Sequence, residues 1–438
     1  ASSPIPSFLS LPPLSRARSP WASFPSPPLP CSAPSSSPLP YTSPLSPAQR
    51  RRVLMDASLG ASLQLLPYLP SYTVGALIKR YMQSTTTLMA RRMGLVEKSV
   101  TIHGLEWKYL ERPDSAVSTA GGRCTVFFHG LSMNAFEFIP AAYFLRSLPG
   151  RLLLLPTPGH DCDNQRPDTK FMSVAESAGW YAELARVLKL VDYNIVGYSL
   201  GASSALSLAS ISHGVRRVVC LNPGFAEAVG DLKKRLEMTD VYAYKDGPTA
   251  RFFVERCLVP SERSYEVAPW VGEFFHQAIP LPHFAQEYYA HMMNTYEEDL
   301  TKEWVPRMIE RGVEKSPPML VIASEGDQVI QLDVVQRLCA EWKTAGLAVD
   351  FHTQPGYGHW FGSHGATLPR FWSYFETVAP RVLDFLDSRP RRREKRPRDC
   401  NAEIDAYPIL SKHSLEGEAS AAEASDEPPS KRRSLSTD

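Results

Sequence analysis

Short apolar runs alternate with amphipathic stretches along the middle of the chain. The apolar runs predict strands at Ser99–His103, Cys124–Phe128, Arg151–Leu155, Tyr193–Val196, Arg217–Leu221, Met319–Ala323 and Ala348–His352. Apolar residues at helical spacing predict helices at Ser173–Leu190, Gly201–Ser212, Leu332–Trp342 and Phe371–Leu386. Alternation of this kind is typical of a mainly parallel sheet with helices on both faces. The sequence therefore predicts an α/β fold.

One connection is too long to be a simple crossover. About 95 residues separate the strand that begins at Arg217 from the strand that begins at Met319. This length predicts an inserted helical cap over residues 225–316. Its apolar side chains either line an apolar ligand pocket or pack the cap onto the domain. They are Phe252, Phe253, Trp270, Phe274, Phe275, Ile279, Phe284, Tyr288, Tyr289, Met292 and Met293.

The two ends of the chain differ from its middle in composition. Residues 1–55 hold 14 Pro, 14 Ser, five Arg and no acidic residue. This composition predicts a disordered head over 1–54, which fits an organelle transit peptide, a plain extension or a non-native leader before Met55. Residues 389–438 open with a basic run and predict a disordered charged tail. The tail suits an acidic surface, a localisation signal or plain solvated disorder.

The segment over 55–94 is mostly apolar but is interrupted by Pro67 and Pro70, so it lacks a membrane-spanning run. We expect either an amphipathic segment at a membrane surface or a helix packed on its own domain. The remaining range, 95–388, is expected to form the main folded domain. Localisation is expected to be intracellular, at a membrane, or in an organelle if the head is a transit peptide.

Charge and cysteine content narrow the function classes. The formal net charge is +1, so nothing favours nucleic-acid binding by the whole molecule. The seven cysteines are dispersed without a CxxC pair, which predicts neither a disulfide framework nor a zinc site. Cys124 and Cys220 lie in apolar runs and are expected to be buried small hydrophobes. No metal or organic cofactor is expected.

The strongest chemical signal is Gly197-Tyr-Ser-Leu-Gly201, a G-x-S-x-G between a predicted strand and a predicted helix. In that context the serine sits on a strained turn with its hydroxyl exposed, and Gly197 and Gly201 let backbone segments pass closely. The pattern predicts Ser199 as a nucleophile. A serine in an ordinary glycine-flanked turn is the alternative.

A serine nucleophile needs a base and an acid that orients the base. His359 lies in a glycine-rich loop after the last predicted strand. Asp327 follows the strand Met319–Ala323, with Glu325 as the fallback acid. The order Ser199, Asp327, His359 is the order of α/β-hydrolase triads.

The run Phe127-Phe-His-Gly-Leu131 predicts the remaining part of the site. The N–H groups of Leu131 and Leu200 are expected to form the oxyanion hole. His129 and Gly130 are expected to shape the loop, and His129 is not expected to be the catalytic base.

These motifs, with Pro156-Thr-Pro-Gly-His-Asp161, resemble the α/β-hydrolase superfamily over residues 95–388. The apolar segment over 55–94, called the apolar lead below, and the cap sequence Leu232–Pro260 are similar to the membrane-associated monoacylglycerol-lipase-like branch. The stretch Trp360–Trp372 departs from that branch in being longer and more aromatic. A serine at the elbow argues against epoxide hydrolases and haloalkane dehalogenases, whereas haloperoxidase-like members share the triad.

The expected function is that of a serine hydrolase of carboxylic esters. The resemblance implies monoacylglycerol or a related lipid ester as substrate, with peripheral membrane association. A thioesterase or acyltransferase would use the same triad, and a non-catalytic binding module that acts through the basic tail is the alternative from another class.

Overall fold

The computed structural model describes residues 70–102, 105–113, 123–131, 133, 135–136, 138–157, 174–225, 244–263, 265–278, 304–363, 365 and 371–388. The head over 1–54 and the tail over 389–438 lie outside these ranges. So do the turn after Thr157 and the cap residues Ile279, Phe284, Tyr288, Tyr289, Met292 and Met293.

Within the described ranges, eight strands form one sheet. They are β1 (Val96–Ile102), β2 (Leu105–Arg112), β3 (Cys124–Phe128), β4 (Arg151–Leu155), β5 (Tyr193–Tyr198), β6 (Val215–Leu221), β7 (Met319–Ser324) and β8 (Val349–Gln354). Their order is β1-β2-β4-β3-β5-β6-β7-β8. The pairs β1–β2 and β2–β4 are antiparallel, and the other five are parallel. The carboxyl ends of β3, β5, β6, β7 and β8 therefore meet at one edge, where open α/β sheets bind ligands.

Burial explains which strands the sequence predicts well. The central strands β3, β5, β6 and β7 are buried at every position, and most of their residues are apolar, although β6 also contains Arg216 and Arg217. The strand β2 was not predicted, because it alternates Glu106 and Lys108 with the buried Trp107 and Tyr109. That two-residue period was the signal that could have revealed it.

Helices lie between most of the parallel strands. The described helices are α1 (Ser71–Met93), α2 (Ile139–Phe144), α3 (Val174–Val187), α4 (Leu200–Ile211), α5 (Gly247–Phe253), α6 (Pro269–Ala278), α7 (Trp304–Glu310), α8 (Leu332–Thr344) and α9 (Ser373–Asp387). A π-helix at Val254–Leu258 continues α5. The helices α5, α6 and α7 lie in the range predicted to be an inserted cap.

The helix α1 packs on α6. Val74, Ile78 and Met82 are buried along one face of α1. A Cβ added at Gly75 would lie 2.7 Å from Glu273 Cβ, so glycine permits this close crossing. The apolar lead was expected either to lie at a membrane surface or to pack on its own domain. The face of α1 that carries Val74, Ile78 and Met82 packs on the domain. None of the helices within the described ranges is long and apolar enough to span a membrane.

The described cap aromatics are mostly packed. Phe253, Phe274 and Phe275 are at most 7% exposed, and Phe275 contacts the rings of both Phe361 and Phe371. For these three side chains, packing of the cap onto the domain accounts for the apolar character.

The two cysteines expected to be buried are buried, Cys124 at 2% and Cys220 at 0% exposure. Burial raises the pKa of the Cys124 thiol to about 12, so the thiol stays protonated and unreactive at neutral pH.

Candidate active site

Ser199 lies on a sharp turn between β5 and α4. Its φ is 53° and its ψ is −120°, a backbone conformation that non-glycine residues seldom adopt. The turn is held by main-chain hydrogen bonds: Ser199 N–H donates to Leu221 O at 2.9 Å, and Gly224 N–H donates to Ser199 O at 3.1 Å. Observed strain at a partly exposed serine is typical of a functional site.

The two glycines of the motif are required by close approaches of the backbone. A Cβ at Gly197 would lie 2.3 Å from Gly201 O, and a Cβ at Gly201 would lie 2.3 Å from Phe128 O. A side chain at Gly197 would push against the start of α4, and a side chain at Gly201 would force the turn away from the end of β3. The glycines thus allow the elbow to sit directly against the loop that carries His129.

The structure brings Ser199, His359 and Asp327 together, although they lie far apart in sequence. His359 Nε2 is 2.9 Å from Ser199 Oγ, and His359 Nδ1 is 2.7 Å from Asp327 Oδ2. The side chains of His359 and Asp327 are 8% and 2% exposed, so water screens their interaction little. With Nδ1 donating to the carboxylate, Nε2 faces the serine hydroxyl as an acceptor.

The second oxygen of Asp327 is also held. Its Oδ1 accepts hydrogen bonds from Val329 N–H at 2.8 Å and Ile330 N–H at 3.0 Å. The carboxylate is therefore fixed in the orientation that faces His359. The fallback acid Glu325 is exposed, and its main-chain N–H donates to Gln354 O at 3.0 Å.

His129 is buried in the loop after β3. Its Nδ1 lies 2.8 Å from Gly130 O, to which it donates, and its Nε2 accepts from Thr157 N–H at 2.8 Å. Burial lowers the pKa of His129 to about 4, which keeps the imidazole neutral in this pair of hydrogen bonds. These contacts tie the loop after β3 to the end of β4.

The two predicted oxyanion donors belong to segments that adjoin Ser199. Leu200 is the first residue of α4, where N–H groups have no partner within the helix. Leu131 follows Gly130, and a Cβ added at Gly130 would lie 3.2 Å from Ser199 Cβ. The loop before Leu131 therefore lies against the serine turn.

The π-helix holds the acid and histidine loops from the cap side. Gln328 Nε2 donates to Glu255 O at 3.0 Å and to Val259 O at 2.9 Å. The N–H groups of Trp360 and Phe361 both donate to Leu258 O, at 2.9 and 2.8 Å. Sequence reasoning missed this contribution, because π-helices have no clear local sequence signature.

A family model described as the alpha/beta hydrolase fold matches residues 126–365, which is more than half of the chain. The chain belongs to the α/β hydrolase fold family. The predicted fold class is thereby confirmed, and membership of this family supports the predicted enzyme class, an ester hydrolase.

Two solved structures show the same α/β hydrolase fold. A membrane phospholipase A, described as a bacterial virulence factor, superposes with a TM-score of 0.52 at 18% identity, covering 77% of this chain and 98% of that chain. A candidate lipase, lip1, from Acinetobacter baumannii AYE has a TM-score of 0.52 at 16% identity, covering 70% of this chain and 95% of that chain. At these identities the likeness establishes the fold alone. A comparison with curated proteins finds no match.

Proposed function

We propose that the protein is a serine hydrolase that cleaves carboxylic esters of lipids through Ser199, His359 and Asp327. The observation that carries the proposal is the chain of two hydrogen bonds, 2.9 Å from Ser199 to His359 and 2.7 Å from His359 to Asp327. A nucleophile, a base and an orienting acid in contact at the carboxyl edge of the sheet are what acyl transfer requires.

In the proposed reaction, Ser199 Oγ attacks the ester carbonyl carbon while His359 Nε2 accepts the hydroxyl proton. Asp327 holds the imidazole in the tautomer that leaves Nε2 free to accept, and its charge stabilises the imidazolium that forms. The protonated His359 then donates to the leaving alcohol, which gives an acyl-enzyme on Ser199. Water, deprotonated by His359, attacks the acyl carbonyl and releases the carboxylic acid.

The N–H groups of Leu131 and Leu200 are proposed to stabilise the oxyanion of both tetrahedral intermediates. Leu200 is favoured by its place at the start of α4, where the helix dipole adds partial positive charge. Leu131 is favoured by the contact between Gly130 and the serine turn. Loss of one such donor typically costs about 100-fold to 1,000-fold in kcat.

The proposed substrate is monoacylglycerol or a related lipid ester. Its support is the apolar and aromatic composition of the inserted range 225–316 and the fact that two proteins of similar fold are named as a phospholipase and a candidate lipase. Each methylene of an acyl chain buried in an apolar site contributes about 0.8 kcal/mol. A lipid substrate therefore gains binding energy that a short ester lacks.

Docking at an anionic membrane surface through α1 is part of the same proposal. The helix carries Lys79, Arg80, Arg91 and Arg92 and no acidic residue. Away from α6 it exposes Leu77 at 45% and Leu88 at 49%. These leucines are eleven residues apart, which is three helical turns, so they share one face with Arg80 and Arg91. Exposed apolar side chains flanked by cations suit the interface of an anionic bilayer.

The test is hydrolysis of glycerol monoesters of increasing acyl length by the full chain and by Ser199→Ala. We expect kcat/KM to rise with acyl length and the Ser199→Ala variant to lose turnover by at least 1,000-fold. Parallel assays with an acyl thioester, and with added alcohol as acceptor, separate a thioesterase or an acyltransferase from an ester hydrolase. Full turnover by Ser199→Ala would overturn the proposal.

A further inference from the structure

The main-chain carbonyl of His359 is held by two buried side chains. Tyr198 Oη donates to His359 O at 2.6 Å, and Asn222 Nδ2 donates to the same oxygen at 2.7 Å. Tyr198 is 2% exposed and Asn222 is fully buried. Two donors on one carbonyl fix the backbone from which the imidazole extends.

Asn222 connects the three loops that carry the site. Its Oδ1 accepts from Ser324 N–H at 2.8 Å, at the end of β7 where the acid loop begins. Its φ is 42°, in the left-handed region that asparagine tolerates better than most residues. Two residues later, Gly224 N–H donates to the main chain of Ser199. The end of β6 thus contacts the serine, acid and histidine segments at once.

Tyr198 adds a contact from the residue directly before the nucleophile. Its ring lies 5.3 Å from the His359 ring and 5.7 Å from the Trp360 ring, between centroids. Because Tyr198 directly precedes Ser199, its hydroxyl connects the turn that carries the serine to the loop that carries His359.

We infer that Tyr198 and Asn222 are positioning residues that set the distance between His359 and Ser199 by anchoring the His359 carbonyl. The inference rests on the proposed function of those two residues. A reacting group displaced by about 1 Å can cost about 100-fold in rate, whereas substrate binding on the cap side is little affected. Loss of either anchor therefore lowers kcat and leaves KM nearly unchanged.

The same strand offers a matched control. Tyr193 lies at the other end of β5, is 1% exposed, and has its Oη 3.1 Å from Ser212 Oγ. Tyr→Phe at either position removes one buried hydroxyl and keeps the ring. The two variants differ in whether the lost hydrogen bond reaches the histidine loop.

The experiment compares Tyr198→Phe and Tyr193→Phe in the full chain by ester turnover and by thermal unfolding. We expect Tyr198→Phe to lose about tenfold in kcat with KM within twofold, and Tyr193→Phe to keep the kcat of the unsubstituted protein. Equal kcat values for the two variants, whether both are unchanged or both are reduced, would overturn the inference.

Asn222→Gly provides the second variant, because glycine accepts the left-handed backbone and deletes the side-chain hydrogen bonds to His359 O, Gly358 O and Ser324 N–H. In the double variant with Tyr198→Phe, kcat is expected to fall by less than the product of the two single effects, since both bonds hold one carbonyl. Multiplicative effects would contradict a shared anchor. Loss of turnover in Ser199→Ala, measured in the same series, separates failure of this inference from failure of the proposed catalytic role.

Discussion

At the scale of single residues, the site depends on where the chain leaves each strand. Ser199 follows β5 without a spacer, His129 follows β3, and Asn222 follows β6. Residues at these positions are held rigidly because they directly follow buried strands. Hydrogen-bonded catalytic groups are positioned more precisely there than on a free loop. The strained φ of Ser199 is maintained because Leu221 and Gly224 bond to its main chain on both sides.

His129 gives a prediction for stability against pH. Its pKa is lowered by burial from 6.5 to about 4, so between these values the unfolded chain binds a proton that the folded chain does not. The free energy of unfolding therefore falls as the pH falls through this window, by about 3 kcal/mol in total. Denaturant unfolding of His129→Gln, which keeps an acceptor but does not titrate, should show a flatter dependence between pH 6.5 and pH 4. An unchanged slope would contradict the buried neutral imidazole.

At the scale of elements, the cap and the catalytic loops form one hydrogen-bonded unit. Carbonyls of the π-helix at Val254–Leu258 and of Val259 after it face both loops. Glu255 O and Val259 O accept from Gln328 in the acid loop, and Leu258 O accepts from the histidine loop. π-helical segments are frequent at functional sites. Here the segment supplies acceptors for amides and a side chain that would otherwise have to bond to water.

Gln328 tests that connection. Gln328→Met keeps the length of the side chain and leaves Glu255 O and Val259 O without the amide donor, so we expect the free energy of unfolding to fall by about 1–3 kcal/mol. The matched control is Gln354→Met, since Gln354 Nε2 makes one exposed contact of 3.4 Å to Pro355 O. That variant should change stability by about 0.5 kcal/mol or less. Equal losses in urea unfolding would argue against the cap contact.

The helix α1 carries the prediction for membrane docking. Leu77→Asp and Leu88→Asp remove exposed apolar surface and add negative charge, so binding to vesicles with anionic lipid should weaken at least tenfold for the double variant. Vesicle co-sedimentation measures it. Val191→Asp is the control, because Val191 is 55% exposed and lies just before β5, at the sheet edge opposite Ser199. Binding that is unaffected by the α1 variants, or equally reduced by Val191→Asp, would contradict docking through α1.

At the scale of the whole molecule, the sequence pattern predicted the features that depend on neighbouring residues. Buried parallel strands and the G-x-S-x-G turn are visible in a few consecutive residues, and all seven predicted strands overlap observed ones. The bond from Asn222 to His359 joins residues 137 positions apart and has no local signature. Asn222 itself stands before Pro223-Gly224, where the sequence suggests only a turn.

The most direct measurement of the central claim is the site of covalent modification by a fluorophosphonate, located by peptide mass spectrometry. The account predicts one adduct per chain, on Ser199, no adduct in Ser199→Ala, and labelling slowed at least 100-fold in His359→Ala because the base is gone. An adduct on another residue, or full-rate labelling of Ser199→Ala, would contradict it.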